Sequence, residues 1–292
     1  MSQKVAFIGL GNMGFPMAGH LSRLGSTLKV FNRSAEKALN WRRKHVGQVC
    51  ASPAEAAKDS DVVFICVGND NDVRDVVYGE RGVLETAKPG TTFVDHTTTS
   101  AQLARELADV FSEHECQFVD APVSGGQAGA EAGQLAVMAG GNESDLNEIT
   151  QALNTYSRVV TLMGPHGSGQ LCKMVNQICV TGVLQSLSEG VNFALRSGLD
   201  IQKVFATLSQ GAAGSWQMAN RASTMANDDF DFGFAIEWMI KDLTYCLDEG
   251  HRIDAQLPLT EQTLQRYEEL AQNGDSRSDI SALIKQFNQK KQ

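Results

Sequence analysis

The stretch that decides the fold is VAFIGLGNMG, residues 5–14. Its first four residues form a short apolar run, which is typical of a buried strand in a parallel sheet. The remaining six fit the pattern GxGxxG, and the spacing of Met17, Leu21 and Leu24 predicts a helix over residues 16–24 directly after them. A strand, a glycine-rich turn and a helix in this order predict a Rossmann-type dinucleotide-binding unit.

The glycines of this turn have different predicted tasks. Gly9 permits the tight turn, Gly11 lets the backbone approach a pyrophosphate, and Gly14 lets the helix pack closely on the strand. The N–H groups at the start of the helix then face the anion. The predicted pyrophosphate-binding residues are Gly9, Leu10, Gly11, Asn12, Met13 and Gly14.

The rest of the first half continues the alternation of strands and helices. Strands are predicted over residues 28–31, 61–67, 91–95, 117–120 and 134–138. Helices are predicted over residues 35–44 and 101–113, and Ser52-Pro53-Ala54-Glu55 predicts a capped helix start. This alternation predicts βαβ units, a doubly wound parallel sheet and right-handed crossovers.

The second half has helical periodicity and no convincing strand. Helices are predicted over residues 169–196, 201–208, 236–249, 258–273 and 278–290. A cluster of turn residues over 164–169 marks the border between the two halves. The predicted fold class is therefore α/β: a Rossmann-type domain over residues 1–164 and an all-α domain over residues 165–292, joined by a long interdomain helix.

The end of the second predicted strand bears on the choice of cofactor. NAD sites place an acidic residue there to hold the ribose 2′-OH, whereas this chain has Asn32, Arg33 and Ser34. Arg33 can pair with a 2′-phosphate or stack on the adenine; the alternative is a solvated surface residue. We therefore expect NADP(H) as the preferred cofactor, with NAD(H) possible. Val67 and Gly68, which end another predicted strand, should also lie along the cofactor.

Lys173 is the candidate acid and base. Reduction of a carbonyl by hydride needs a proton donor, and a lysine can serve if a nearby cation or partial desolvation lowers its pKa. Asn176 and Gln177 follow at i+3 and i+4 on the same helical face, where an amide can orient the lysine or hold the substrate oxygen. A single lysine on a helix can also be a solvated cation, but the residues around Lys173 are apolar and favour catalysis.

Ser124-Gly125-Gly126 is the candidate substrate loop. It follows a strand end, where open α/β sheets place their ligands. Two glycines let backbone N–H groups approach an anion, and Ser124 adds a hydroxyl donor. The alternative is an ordinary glycine-rich turn.

These motifs, in this order over nearly the whole chain, resemble the β-hydroxyacid dehydrogenases, the family of 3-hydroxyisobutyrate dehydrogenase, tartronate semialdehyde reductase and the glyoxylate/succinic semialdehyde reductases. The family usually has a serine at the position of Thr97 and often a proline at the position of Gly68. The motifs that carry the resemblance are GLGNMGFPM at 9–17, DHTT at 95–98, DAPVSGG at 120–126, GPHGSGQLCKMVNQ at 164–177 and KDL at 241–243.

The resemblance implies roles for several of these residues. It assigns the substrate carboxylate to the loop Ser124–Gly126 and the nicotinamide half of the cofactor to Thr97 and especially Thr98. It places Lys241 at the active site near the cofactor, with Asp242 as its partner or as one half of a plain surface pair. The expected reaction is reversible hydride transfer between NADP(H), or NAD(H), and a short β-hydroxyacid or semialdehyde in the cleft between the domains. Examples are 3-hydroxyisobutyrate, tartronate semialdehyde and succinic semialdehyde, with Lys173 as general acid and base.

Three alternatives use the same fold. Imine reductases look similar but usually replace the lysine by aspartate or tyrosine, so Lys173 argues against them. A decarboxylating dehydrogenase of the 6-phosphogluconate type has a much larger helical portion. A non-catalytic dinucleotide sensor needs only the N-terminal fingerprint, so Lys173, Asn176 and the Ser124 loop tell against it.

Composition restricts the partners. The 292 residues carry a formal net charge of −9, and a basic cluster occurs only at residues 42–44, so nucleic acid and membrane are not expected. The six cysteines and six histidines show no metal-ligand spacing, so no metal is expected. No signal-peptide pattern precedes the first strand, which predicts a cytoplasmic protein. Apolar positions of the long helix, such as Leu184, Leu187 and Val191, predict a homodimer or homotetramer.

Overall fold

The computed structural model describes residues 3–25 and 27–287. The chain forms two compact units, Met1–Lys173 and Met174–Gln292. The border between the units falls inside the longest helix, so this helix belongs to both.

Within the described residues, the first unit contains one nine-stranded sheet. Its strands are β1 Val5–Ile8, β2 Leu28–Phe31, β3 Gln48–Val49, β4 Val62–Ile65, β5 Thr92–Asp95, β6 Gln117–Asp120, β7 Val123–Ser124, β8 Leu135–Gly140 and β9 Ser157–Gly164. The order across the sheet is β3-β2-β1-β4-β5-β6-β8-β7, and β9 pairs with β8. The six strands from β3 to β6 are parallel, whereas β8 is antiparallel to β6 and β7.

The sheet reverses its winding between β1 and β4. The chain builds β1, β2 and β3 outward in one direction and then crosses to build β4, β5 and β6 in the other. Open α/β sheets bind ligands outside the carboxyl ends of the strands at such a switch point. Because Ile8 lies opposite Ile65 and Asp95 lies opposite Asp120, the segments that follow these strands start at one common edge.

Helices cover both faces of this sheet, which explains the uninterrupted apolar runs of its central strands. Every residue of β1, β4 and β5 is buried. Side chains alternate between the faces, so that Phe7 joins one core cluster with Trp41 while Ile8 joins a second with Phe93. A parallel sheet buried on both sides is the architecture that the sequence predicted, and this prediction is confirmed.

Seven helices connect these strands in the described part of the first unit. They are α1 Gly14–Leu21, α2 Ala35–Lys44, α3 Pro53–Ala57, α4 Asp70–Tyr78, α5 Ala101–Glu113, α6 Gly126–Glu131 and α7 Glu143–Leu153. The predicted cap of α3 is present: the Glu55 N–H donates to the Ser52 hydroxyl at 3.1 Å, and the Ala51 N–H donates to the Glu55 carboxylate at 2.7 Å.

The second unit is helical. It contains most of α8 Ser168–Arg196, followed by α9 Ile201–Leu208, α10 Trp216–Ala226, α11 Ile236–Arg252 and α12 Pro258–Leu270. A π-helical turn over Ala271–Asp275 and a 3-10 helix over Ile280–Phe287 complete it. The last helix was predicted to reach residue 290, but residues 288–290 lie outside the described part of the chain. The prediction of a helical C-terminal domain is confirmed.

Helix α8 is long and apolar enough to cross a membrane, by length and composition alone. A helix in the interior of a soluble protein passes the same test. The side chains predicted to contact a second subunit are buried within the chain itself: Leu184 and Val191 are 0% exposed and Leu187 is 5% exposed. That part of the prediction is wrong, because the apolar residues that α8 leaves exposed lie on another of its faces.

The start of α8 is fixed by a buried carboxylate at the end of β6. Asp120 is 0% exposed and accepts the backbone N–H groups of Gly167 at 2.7 Å and Gln170 at 3.0 Å. These N–H groups belong to the unsatisfied donors at a helix start, where a negative charge is also favourable. A Cβ atom on Gly169 would lie 2.4 Å from the Met138 carbonyl oxygen, so only glycine lets the helix approach the sheet this closely.

Two glycines of α8 should therefore respond oppositely to alanine. We expect Gly169→Ala to lower the free energy of unfolding by about 1 to 3 kcal/mol or more, because the new methyl group meets backbone. Gly182→Ala should raise it by about 0.5 to 1 kcal/mol, since a Cβ there makes only ordinary contact at 3.5 Å. Urea unfolding followed by circular dichroism measures both; equal effects would contradict the close approach at Gly169.

Candidate active site

Contacts within the protein require a glycine at two of the three glycine positions of this loop, but not at the third. A Cβ on Gly9 would lie 2.1 Å from the Cys66 carbonyl oxygen, and one on Gly14 would lie 2.0 Å from the Gly9 carbonyl oxygen. A Cβ on Gly11 would meet no atom within 4 Å. The first two glycines are needed for packing, whereas the open space at Gly11 fits the approach of a pyrophosphate.

Asn32 supports this loop from the end of β2. Its side-chain oxygen accepts the Leu10 N–H at 2.8 Å, and its side-chain nitrogen donates to the Ser34 carbonyl at 3.0 Å. The Leu10 side chain is buried, so this residue contributes backbone to the loop. Arg33 extends outward instead, with its side chain 86% exposed. Of the three residues predicted here, Arg33 and Ser34 are exposed, whereas Asn32 is partly buried against the loop.

The loops that follow β4 and β5 are tied together by Thr97. Its hydroxyl accepts the Val67 N–H at 3.0 Å, and its own N–H donates to the Asp95 carboxylate at 2.9 Å. Thr97 is 2% exposed, whereas Thr98 is half-buried. The Thr97 side chain is therefore engaged within the loop, and Thr98 is the more exposed residue of the pair.

Two carboxyl groups behind this loop are buried. Burial raises the pKa of Asp95 to about 7, although Thr97 hydrogen bonds oppose the shift, and nearby Asp120 and Asp70 add to it. Burial also raises the pKa of Asp120 to about 6, against the stabilising N–H groups of Gly167 and Gln170. Both groups lie at adjacent strand ends and so place titratable charge directly beneath the site.

His96 separates Asp95 from Thr97 and is held as a neutral ring. Burial lowers its pKa to about 4. Nδ1 lies 2.6 Å from the Ala121 carbonyl oxygen, which can only accept, so Nδ1 carries the proton. Nε2 then accepts from the Tyr156 hydroxyl at 2.9 Å, and the ring stacks on Phe64. These contacts fix the backbone from which the Thr97–Thr98 loop begins.

Lys173 is directed at the predicted substrate loop. The residue is 9% exposed, and its Nζ donates to the Val123 carbonyl at 3.0 Å. The next residues are Ser124, Gly125 and Gly126, the glycines having φ of 136° and 64°. A Cβ on Gly126 would meet no atom within 4 Å. The alternative of a solvated surface lysine is thus wrong, because the ammonium is buried against this loop.

The second unit contains a linked set of polar side chains. Asn176 donates its amide to Gln177 at 2.7 Å, and Gln177 donates to Asp242 at 2.6 Å. The other oxygen of Asp242 lies 3.1 Å from Lys241 Nζ. This contact is an ion pair, and its angles do not meet the criteria for a hydrogen bond. The Asp242 side chain is 1% exposed and that of Lys241 is 17% exposed, so the alternative of a plain surface charge pair is wrong.

Sequence reasoning did not single out Gln170. This side chain is 0% exposed; it donates to the Thr97 carbonyl at 2.8 Å and accepts the Thr99 N–H at 3.1 Å. It thereby ties the Thr97–Thr98 loop to the first turn of α8, one turn before Lys173. The available signal was its spacing, because a residue three positions before Lys173 shares its helical face.

Comparison with known proteins agrees with this architecture in both parts of the chain. Residues 4–164 match the family model described as the NAD-binding domain of 6-phosphogluconate dehydrogenase. Residues 167–287 match the model described as NAD-binding of NADP-dependent 3-hydroxyisobutyrate dehydrogenase.

Individual relatives match over nearly their full lengths. An uncharacterized oxidoreductase of Shewanella frigidimarina is 50% identical over 96% of this chain and 97% of its own. The 2-hydroxy-3-oxopropionate reductase of Escherichia coli is 34% identical over 96% of both chains. The 3-hydroxyisobutyrate dehydrogenase of Mycobacterium tuberculosis, solved with L-serine, has a TM-score of 0.88 at 31% identity, over 98% of this chain and 99% of that one.

The family matches over both parts of the chain, together with the glycine-rich loop at the switch point, identify an oxidoreductase that binds a nicotinamide dinucleotide. The chain belongs to the β-hydroxyacid dehydrogenase family, as the sequence motifs predicted.

The buried carboxyl group of Asp95 predicts a pH-dependent stability. Its pKa of about 7 in the folded chain lies above the ordinary value of 3.8, so its contribution to stability is present below about pH 4 and is lost as the pH rises through 7. Asp95→Asn should therefore gain stability relative to wild type between pH 5 and pH 8. Thermal unfolding at a series of pH values measures this difference.

The matched control is Asp109→Asn, which removes an exposed carboxylate from α5. Its stability should stay parallel to that of wild type over the same range. A difference between Asp95→Asn and wild type that is constant with pH would show that Asp95 is ionised in the folded protein throughout.

Proposed function

We propose that this enzyme interconverts a short β-hydroxyacid and its semialdehyde, with NADP(H) as preferred cofactor and Lys173 as general acid and base. The observation that carries the proposal is the contact of Lys173 Nζ with the Val123 carbonyl at 3.0 Å. This contact fixes a buried ammonium group directly before the loop Ser124–Gly126. A proton donor and an anion-binding loop side by side suit a substrate with a carbonyl group and a carboxylate on one short chain.

The loop supplies the carboxylate site. Positive φ angles at Gly125 and Gly126 turn the backbone sharply, and neither glycine places a side chain between its N–H and a ligand. Together with the Ser124 hydroxyl, these N–H groups are donors for an anion. A carboxylate held there brings the reacting carbon of a short substrate within reach of Lys173.

The chemistry needs one hydride and one proton. The bound nicotinamide supplies or accepts the hydride. In the direction of reduction, the carbonyl oxygen gains negative charge and takes a proton from the Lys173 ammonium, giving the hydroxyl group. In oxidation, neutral Lys173 removes the hydroxyl proton as the hydride leaves the same carbon. Donation to the Val123 carbonyl fixes the position of Nζ during both steps.

Asn176 is proposed to assist Lys173 from one turn further along α8. Its amide is oriented by Gln177, which in turn is held by the buried Asp242. Lys241 keeps the charge of Asp242 balanced. In this arrangement Asn176 holds the substrate oxygen, while Gln177 and Lys241 act as positioning residues.

The NADP(H) preference rests on Arg33. Its side chain leaves the end of β2 and is largely exposed, so the guanidinium is accessible to a 2′-phosphate. Guanidinium groups bind phosphate through paired, charge-assisted hydrogen bonds. The N–H donors of the Arg33 guanidinium therefore suit a ribose that carries a 2′-phosphate.

The test is oxidation of NADPH or NADH, followed at 340 nm, with succinic, methylmalonic and tartronate semialdehydes and glyoxylate. We expect turnover of at least one of these with NADPH. Lys173→Ala should reduce kcat by about a hundredfold to ten-thousandfold, the usual contribution of a general acid. The control is Lys203→Ala, which removes a lysine whose side chain is 84% exposed on α9 and should retain wild-type activity.

Cyclic imines serve as the comparison substrates. Turnover of imines without turnover of any aldehyde would replace the proposed reaction by imine reduction. Binding of NADPH without turnover of either class would favour the non-catalytic sensor. Full activity of Lys173→Ala would remove Lys173 from the mechanism.

We further propose that the enzyme is a homo-oligomer joined through one face of α8. The exposed Glu189 lies at the edge of this face, and six exposed positions on it carry no charge: Val175, Cys179, Val183, Ser186, Gly190 and Phe193. Their spacing of three and four residues keeps them on one stripe, and Val175 and Phe193 are 60% and 70% exposed. A second copy of the same helix has the matching uncharged surface.

Val183→Glu should then shift the molar mass toward the monomer, measured by light scattering after size exclusion. The control is Leu208→Glu, which places a charge on an exposed apolar position of α9 and should leave the mass unchanged. A monomeric wild type would contradict the proposal.

A further inference from the structure

A carboxylate faces Arg33 although the sequence places none at the end of β2. Asp72 Oδ1 lies 3.0 Å from Arg33 Nη1, and the two residues are 39 positions apart. The Asp72 side chain is 22% exposed, against 86% for Arg33. The fold therefore brings an acid from α4 to the position where the local sequence suggested that a 2′-phosphate would meet no negative charge.

Asp72 is held in place by the first turn of α4. Its N–H donates to the side chain of Asn69, the N-cap residue, at 2.9 Å. On the adjacent side, Asp70 accepts the N–H and hydroxyl of Ser100 at 3.0 and 2.6 Å. The turn that carries Asp72 is thus fixed at two points, and its carboxylate is the less exposed group of the pair, 22% against 86% for the Arg33 side chain.

We propose that Asp72 sets the cofactor selectivity by competing with the 2′-phosphate of NADP(H) for Arg33. Without a 2′-phosphate, Arg33 stays paired with Asp72. When NADP(H) binds, the guanidinium turns to the phosphate, and the Asp72 carboxylate loses its partner while gaining an anionic neighbour. The competition lowers NADP(H) affinity and leaves NAD(H) affinity untouched. This inference rests on the proposed pairing of Arg33 with the 2′-phosphate.

The expected change in NADP(H) affinity follows from the exposure of the Arg33–Asp72 ion pair. Exposed ion pairs change an equilibrium by up to about fivefold, and repulsion between carboxylate and phosphate adds to this. Removal of the Asp72 charge should therefore tighten NADP(H) binding by about threefold to tenfold. Removal of Arg33 should weaken it by about tenfold or more.

The experiment measures binding by calorimetry, apart from any turnover. The ligands are NADP⁺ and NAD⁺, together with 2′,5′-ADP and 5′-AMP, which isolate the 2′-phosphate from the nicotinamide. The variants are Asp72→Asn, Arg33→Ala and the double variant, with Asp72→Ser as a second substitution that suits the first turn of a helix. The control, Asp75→Asn, removes an exposed charge from the same helix.

We expect Asp72→Asn to tighten NADP⁺ and 2′,5′-ADP and to leave NAD⁺ and 5′-AMP unchanged. Its effect on NADP⁺ should be smaller once Arg33 is alanine, because only the repulsion between the Asp72 carboxylate and the 2′-phosphate is then removed. Weaker NAD⁺ binding by Asp72→Asn would overturn the inference, because Asp72 would then be a direct ligand of the ribose. If Arg33→Ala weakens NADP⁺ binding but Asp72→Asn leaves it unchanged, the competition by Asp72 is overturned and the contact of Arg33 with the 2′-phosphate stands. Unchanged NADP⁺ binding by Arg33→Ala would overturn the proposed phosphate contact itself.

Discussion

The arrangement of the site depends on one buried carboxylate. Asp120 ends β6, and its two backbone hydrogen bonds hold the first turn of α8 against the sheet. The helix can come this close because Gly140 and Gly169 leave room for the carboxylate. Since Lys173 lies one turn further along, the position of its ammonium follows from this anchor. The raised pKa of Asp120 reflects the electrostatic cost of placing the carboxyl group there.

A second layer of hydrogen bonds joins the loops at the carboxyl edge of the sheet. Thr97 links the segments after β4 and β5, and Gln170 links the latter to α8. Asp70 and Asp72 connect the start of α4 with Ser100 and Arg33. The Thr97–Thr98 segment is therefore held by polar contacts on both sides, and the Thr97 and Gln170 residues that make them are buried.

Much of this was predictable from local sequence. The glycine-rich turn after β1 and the long helix with Lys173 have periodic or motif signals within a few residues. Strands as short as β3 have no such signal, and β9 was missed because it is a partly exposed strand with mixed composition. The contacts of Gln170 and Asp72 could not be predicted, since each joins residues that are brought together only by the order of strands in the sheet. The prediction that Leu184, Leu187 and Val191 face a second subunit was wrong because periodicity identifies an apolar face without saying what covers it.

The most direct test of the central claim is chemical rescue of Lys173→Ala. If Lys173 transfers the proton, small primary amines should restore NADPH oxidation in this variant, and the restored rate should depend on the pKa of the added amine. The same amines should leave wild type unchanged. Failure of every amine to restore activity in a folded variant that still binds NADPH would contradict the assignment of proton transfer to this residue.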